Sequence, residues 1–253
     1  MCLLLFAIDQ HPAYPWIIAA NRDEYRDRPT APLGWWSDHP QVLAGRDLLA
    51  GGTWMGVTRS GRFAAVTNYR EGRSVYPRGP SRGALVSDFL TGNMSPVAYL
   101  KQIAARSQRY DGFNLLMGDT SGGLFYYGNR GNEAGSPGHK APEPLPPGIY
   151  GLSNHRLDTP WPKVERGKRR FAHCLSGLDT ASHEGLTSAL FDVLSDRSQP
   201  ADADLPDTGV GLTWERILAP LFINSPHYGT RSCSVVWLDH QARLSVVERT
   251  TPQ

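Results

Sequence analysis

Cys2 follows the initiator methionine, and Asn21-Arg22-Asp23-Glu24 follows an apolar run. Removal of Met1 would leave a residue carrying both a thiol and a free α-amine. The amine titrates near ~7.7–8.0 and the thiol near ~8.5, so the amine can accept the thiol's proton at neutral pH without a separate histidine. Asp23 is placed in the sequence to orient the ammonium form. A plainer reading competes: a cysteine opening an apolar strand is often a small buried hydrophobe, and Asp23 between Arg22 and Glu24 could belong to a surface ion-pair cluster of little energetic weight.

Other chemistries find less support. The eight histidines are scattered, with no His-Glu-x-x-His and no Cys-x-x-Cys, so no zinc site is expected. Gly51 and Gly52 suit a tight turn, and without Gly-x-x-x-x-Gly-Lys they do not make a phosphate cradle. The absence of Gly-x-Ser-x-Gly weakens a serine-esterase reading. A net charge of +2, with no basic stretch interleaved with aromatics, argues against nucleic acid as partner.

The elements that must position Cys2 and Asp23 can be read from pattern. Hydrophobic residues make up 40% of the 253, enough for a substantial core, and 26 glycines with 20 prolines argue for turns rather than a helical bundle. Strands are expected at 2–8, 16–20, 54–58, 63–68, 114–118, 124–127, 234–239 and 243–247. Helices are expected after Ser95-Pro96, after Thr159-Pro160 and after Ser182, with a short one at 213–222. Lys163, Arg166, Lys168, Arg169 and Arg170 crowd one of these helices and read as a solvated basic face, less readily as a contact for an anionic partner. Strands at both ends with helices between them do not alternate β with α, which favours antiparallel sheets covered by helices in one domain spanning 1–253. The apolar segment 3–8 is too short for a membrane span or a secretory signal, and three cysteines without paired spacing fit a reducing, cytoplasmic location.

Five separated motifs then carry a resemblance. Met1-Cys2 with Asn21-Arg22-Asp23-Glu24, Gly51-Gly52-Thr53-Trp54-Met55-Gly56, Thr67-Asn68-Tyr69-Arg70, Gly151-Leu152-Ser153-Asn154 and Tyr228-Gly229-Thr230-Arg231-Ser232 together resemble the Asn-Arg-Asp-Glu (NRDE) family, which includes the transport-and-Golgi-organisation proteins. The resemblance implies an α+β fold, a four-layer αββα sandwich of the N-terminal-nucleophile hydrolase type. More distantly, the chain is similar to the cysteine branch of that superfamily, the bile-salt hydrolases and penicillin V acylases.

The resemblance implies site residues. Cys2 would be nucleophile and base, Asp23 the partner of the α-amine, Asn68 and Asn154 amide donors to an oxyanion or orienters, and Arg231 a charge clamp beside the cysteine. The arginine those hydrolases carry three residues before the aspartate is replaced by Ala20; Arg22, on the same strand face, is the candidate substitute. A thiol beside its own amine and an arginine is expected to have a lowered pKa and to react before Cys174 and Cys233.

Two functions follow. One is hydrolysis of an amide or thioester through Cys2, without a cofactor. The other is carriage of haem or an acyl lipid without turnover, with the tryptophans at 35, 36, 54 and 161 available to line an apolar pocket.

Overall fold

The structure, a computed structural model, describes residues 2–72, 79–131, 143–177 and 183–251. Two antiparallel sheets lie face to face. The five-stranded sheet has the order β10 (Gly148–Leu152), β1 (Cys2–Ile8), β2 (Trp16–Tyr25), β11 (Tyr228–Leu238) and β12 (Leu244–Thr250). The seven-stranded sheet runs β3 (Thr30–Trp35), β4 (Val42–Asp47), β5 (Met55–Thr58), β6 (Arg62–Asn68), β7 (Phe113–Asp119), β8 (Gly123–Gly128) and β9 (Glu143–Pro144). Helices α1 (Gly83–Thr91) and α2 (Pro96–Arg106) precede β7, and α3 (Pro162–Gly177), α4 (His183–Leu194) and α5 (Leu212–Leu218) precede β11.

The alternation of side chains along each strand sorts them into layers. From β1 and β2, Leu3, Leu5, Ile17 and Ala19 face Phe171 of α3 and Leu190 of α4. The residues between them, Leu4, Phe6, Ile18 and Ala20, face Phe63, Ala65 and Leu116 of the other sheet. On that sheet's far side Ala64, Val66, Leu115 and Met117 meet Leu85 and Phe89 of α1 and Leu100 and Ile103 of α2. The result is the four-layer αββα sandwich of the N-terminal-nucleophile hydrolase type. β1 is apolar at every position because both its faces are covered.

The expected elements recur, with differences. β2 runs on through Asn21-Arg22-Asp23-Glu24, so the motif lies within a strand. β3, β4 and α1 were not expected; their sequences lack a clean period, since β3 contains Pro32 and Gly34 and is only half-buried. Ser95 caps α2 by accepting from the Ala98 amide. Thr159 does not cap α3, which begins at Pro162; its hydroxyl donates to the Arg156 carbonyl. The Ser182 cap lies outside the described residues. Gly51 adopts φ +77° in a turn closed by Asp47, whose carboxylate accepts from the Leu49 and Ala50 amides. A Cβ at Gly52 would meet the Gly83 carbonyl carbon at 2.7 Å, so these glycines serve a turn and a close approach to α1.

Candidate functional site

The antiparallel register assembles the site. Cys2 lies opposite Arg22, Arg22 opposite Ser232, and Ser232 opposite Thr250, so a row crosses β1, β2, β11 and β12 with all four side chains on one face. That face looks toward the seven-stranded sheet, where Cys2 and Ala20 join the inter-sheet core. Past Cys2 the row opens into a groove of about 330 Å³, lined by Arg22, Ser232, Thr250, Arg231, Glu248 and Trp54 together with residues of β3 and β4. Arg22 is buried, and its Nη1 has no hydrogen-bond partner among the described residues. Arg22 therefore stands on the cysteine's face as the sequence pattern anticipates, while Ala20 is ordinary core.

Asp23, one residue on, points the other way, toward the helix layer. Its carboxylate is fully buried and accepts from the Thr230 hydroxyl at 2.7 Å. Burial raises its pKa, opposed first by the charge of Lys163 and then by the Thr230 hydrogen bond. The Cys2 thiol and the Asp23 carboxylate thus lie on opposite faces of the five-stranded sheet.

Lys163 corrects the reading of α3 as a solvated basic helix. Its side chain is buried and Nζ donates to the Leu218 carbonyl at the end of α5. Burial, then the charge of Arg70, lowers its pKa to about 8 against the upward pull of Asp23. Arg70 and Glu215 form a buried ion pair at 2.7 Å beside it, and Arg70 lies over the Trp161 ring. The other basic residues of α3 behave largely as expected: Arg166 and Arg170 pair with Asp196, and Lys168 with Asp158. Nothing in the pattern of α3 distinguished Lys163, because the groups that receive it come from β2, from the segment after β6 and from α5.

Asn68 ends β6, and Asn154 follows β10, the strand beside β1. The Asn154 side chain is fully buried and donates to the Asn68 carbonyl at 3.0 Å. The Ser153 hydroxyl lies within reach of two acceptors for its one proton, Asn154 Oδ1 at 3.3 Å and the Cys2 carbonyl at 3.4 Å. Asn154 is thus engaged as an orienter of the 68 segment. The Asn68 side-chain amide is only half-buried and has no hydrogen bond among the described residues. The two segments are stitched further by Thr67 donating to the Ser153 carbonyl and by the Arg70 amide donating to the Asn154 carbonyl, each at 2.7 Å.

Arg231 is the extra residue where the pairing of β11 with β2 shifts. Its Nη1 donates to the carbonyls of Tyr25, Arg26 and Arg28 at 2.8, 3.0 and 3.2 Å, and the residue lines the groove alongside Arg22. The structure thus joins Arg22 and Arg231 in one groove and Asn68 and Asn154 in one ladder, with Cys2 in register between them and Asp23 behind the sheet.

The expected lowering of the Cys2 pKa concerns the chain after Met1 is removed; with Met1 attached the balance runs the other way. Burial pushes the thiol up, the Asp23 charge adds to this, and Arg22 opposes it. Cys174 is also raised by burial, and Cys233 is pushed to about 12. A resting Cys2 thiol is therefore protonated and needs a base.

Asn21 carries a role the motif alone did not reveal. Its Nδ2 donates to the carbonyls of Leu194 and Leu221 at 2.9 and 2.8 Å, binding the end of α4 and the segment after α5 to the five-stranded sheet. Of the tryptophans, Trp54 lines the groove, Trp161 underlies Arg70, Trp36 belongs to the core beneath α1 and α2, and Trp35 is exposed under Arg59. Among the described residues no group of His, Cys, Asp and Glu has the makings of a metal site, and no helix is long and apolar enough to cross a membrane.

Known proteins agree with this architecture. The family described as Transport and Golgi organisation 2 matches residues 1–253. The Transport and Golgi organization 2 homolog of Mus musculus is 35% identical over 270 residues, covering 99% of this chain and 93% of its own. The Homo sapiens homolog is 33% identical with the same coverage. Among solved structures, the Caenorhabditis elegans N-acylethanolamine-hydrolyzing acid amidase ortholog is similar with a TM-score of 0.52 and 10% identity, covering 92% of each chain, a likeness of fold.

Proposed function

The chain belongs to the Transport and Golgi organisation 2 family, and on that footing we propose that it is an acyl hydrolase, cleaving a C–N amide or a thioester bond through Cys2 after Met1 is removed. The observation that carries this reading is the division of labour around Cys2: the thiol shares a face with Arg22, and the Asp23 carboxylate, the group proposed to orient the α-ammonium, is buried on the opposite face. The free amine takes the thiol proton, a step the buried and protonated thiol requires. The thiolate attacks the acyl carbonyl, and the side-chain amide of Asn68, whose backbone carbonyl Asn154 holds, is the donor proposed for the oxyanion. The C–N or C–S bond breaks as the α-ammonium returns its proton to the leaving group. Water then hydrolyses the thioester, releasing the acid and restoring the thiol.

The test is turnover of dodecanoyl p-nitroanilide and dodecanoyl-CoA by protein whose mass shows Met1 removed. Cys2→Ala should lower the rate by about 10³-fold or more, the scale of losing a nucleophile. Equal rates in the two proteins would defeat the proposal.

The groove itself favours a second reading, carriage of an acyl lipid or haem without turnover. It offers two guanidiniums for an acidic group and Trp54 for an apolar one. None of the described residues lining it is His, Met, Tyr or Cys, so haem iron would need the Cys2 thiol, one register position beyond Arg22, as its axial ligand. Titrating haem into wild type and Cys2→Ser separates the cases: a spectrum lost only in the variant assigns the thiol to iron, and no change in either removes haem.

A further inference from the structure

Beside each asparagine of the ladder stands a residue with no place in the proposed chemistry: Tyr69 after Asn68, and His155 after Asn154. Their side chains meet, with the Tyr69 hydroxyl 2.6 Å from His155 Nε2 and the rings at a centroid distance of 4.6 Å. On the other side of the imidazole, Nδ1 lies 2.8 Å from the Thr159 hydroxyl.

Those contacts fix the tautomer. Thr159 spends its hydroxyl proton on the Arg156 carbonyl at 2.9 Å, so toward His155 it can only accept. Nδ1 must therefore carry the ring proton, which leaves Nε2 of the neutral ring as an acceptor and Tyr69 as the donor. The imidazole also meets the Trp161 ring at a tilt, with centroids 5.6 Å apart, and the His155 carbonyl accepts from Asn114 of β7. We infer that Tyr69 and His155 form a latch holding the two asparagine-bearing segments together, and that Tyr69 donates across it only while the His155 ring is neutral. Both are positioning residues for the hydrolase site, and the inference rests on that reading of Asn68 and Asn154.

The surroundings favour the neutral ring. Arg156 on the adjoining turn and Arg70 beyond β6 face His155, while Arg156, Glu71 and Arg130 face Tyr69, Glu71 and Arg130 being bound to each other at 2.6 Å. Burial, then Arg156 and Arg70, hold the His155 pKa below the ordinary value of 6.5. A proton added at Nε2 would point at the Tyr69 hydroxyl hydrogen, and the bond as donated by Tyr69 is lost. The sign follows from the lowered pKa: Tyr69 is the donor throughout above 6.5, and as pH falls through the lower folded-state value the bond must reverse, with the hydroxyl turned to accept and a third positive charge set beside Arg156 and Arg70, which loosens the latch.

The experiment uses the full chain labelled with ¹⁵N-histidine, as wild type and as Tyr69→Phe, with His155→Gln to assign the signal. His155 should be neutral and Nδ1-protonated at pH 7. In Tyr69→Phe its proton affinity should rise about tenfold, one pKa unit, because the donor that favours the neutral ring is gone. Hydrogen exchange supplies the coupling: protection of the Arg70 amide, which donates to the Asn154 carbonyl, should fall as wild-type His155 titrates. In turnover, the acid limb of the kcat profile should move up by about the same unit, which loss of packing alone would not produce.

A charged or Nε2-protonated His155 at pH 7, or an Arg70 amide whose protection ignores the titration, would overturn the latch. Failure of the hydrolase reading has a different signature: no turnover at any pH, with the tautomer and exchange results intact.

Discussion

Replacing Glu215 by alanine tests the cluster behind Asp23. Both members of the Arg70–Glu215 pair have side chains only 4% exposed, and the 2.7 Å contact is one of three bonds to the carboxylate; the Thr208 amide and hydroxyl occupy the other oxygen at 2.9 and 2.6 Å. Arg70 Nε and Nη2 are already without hydrogen-bond partners among the described residues. Loss of Glu215 leaves a buried guanidinium facing a second buried cation, Lys163. Breaking one side of a buried pair costs about 3–5 kcal/mol. At about 2–4 °C per kcal/mol for a chain of this size, the melting temperature should fall by roughly 10 °C. Removing both charges, as Arg70→Met with Glu215→Met, should cost less than the sum of the single losses, because no unpaired charge remains. Urea unfolding followed by circular dichroism measures all four proteins. A single-variant loss below about 1 kcal/mol, or strict additivity, would show that the pair is solvated and the argument from burial mistaken.

Three further outcomes follow from the same geometry. Asn21→Ala strands the buried carbonyls of Leu194 and Leu221 and should cost about 2–6 kcal/mol in urea unfolding, at about 1–3 kcal/mol for each unsatisfied group. Lys163→Met removes the leading charge that holds the Asp23 pKa down, so ¹³C titration of the Asp23 carboxyl should show it rising further; because that pKa already lies above 3.8, wild-type stability falls as pH rises from 3.8 through the folded value, and Asp23→Asn should abolish this fall. At neutral pH iodoacetamide should label the half-buried Cys174 before Cys233, whose thiol is pushed to about 12, and peptide mapping reads the order.

The fold was legible where pattern reports burial. β1 and the paired strands β5–β6 and β7–β8 announce themselves because continuous or alternating apolar runs are what a strand covered on one or both faces requires. β3 was hidden by Pro32 and Gly34, tolerated at the sheet's edge. The site was legible in its motifs and not in its supporting cast. Strand parity puts Arg22 on the face of residue 20, and the register, which parity does not reveal, puts that face on the side of Cys2. Lys163 could not be assigned to the site, because a lysine on a basic helix shows no local sign that β2, the segment after β6 and α5 enclose it. In the chain that still carries Met1, the dominant effect on the Cys2 pKa is likewise invisible in the sequence: the neighbouring charges can be read there, whereas burial between two sheets is a property of the whole fold. Tyr69 and His155 stand beside recognised asparagines, yet their contact joins positions 86 apart in sequence.

The central claim, that Cys2 is an acyl-accepting nucleophile, is tested most directly by trapping the acyl-enzyme. Protein lacking Met1 is mixed with dodecanoyl-CoA, quenched in acid within seconds, and analysed by intact mass and peptide mapping. The account predicts one added dodecanoyl group, on the peptide beginning at Cys2, released by hydroxylamine and absent from Cys2→Ala. An unmodified chain, or the acyl group on Cys174 or Cys233 instead, would contradict it.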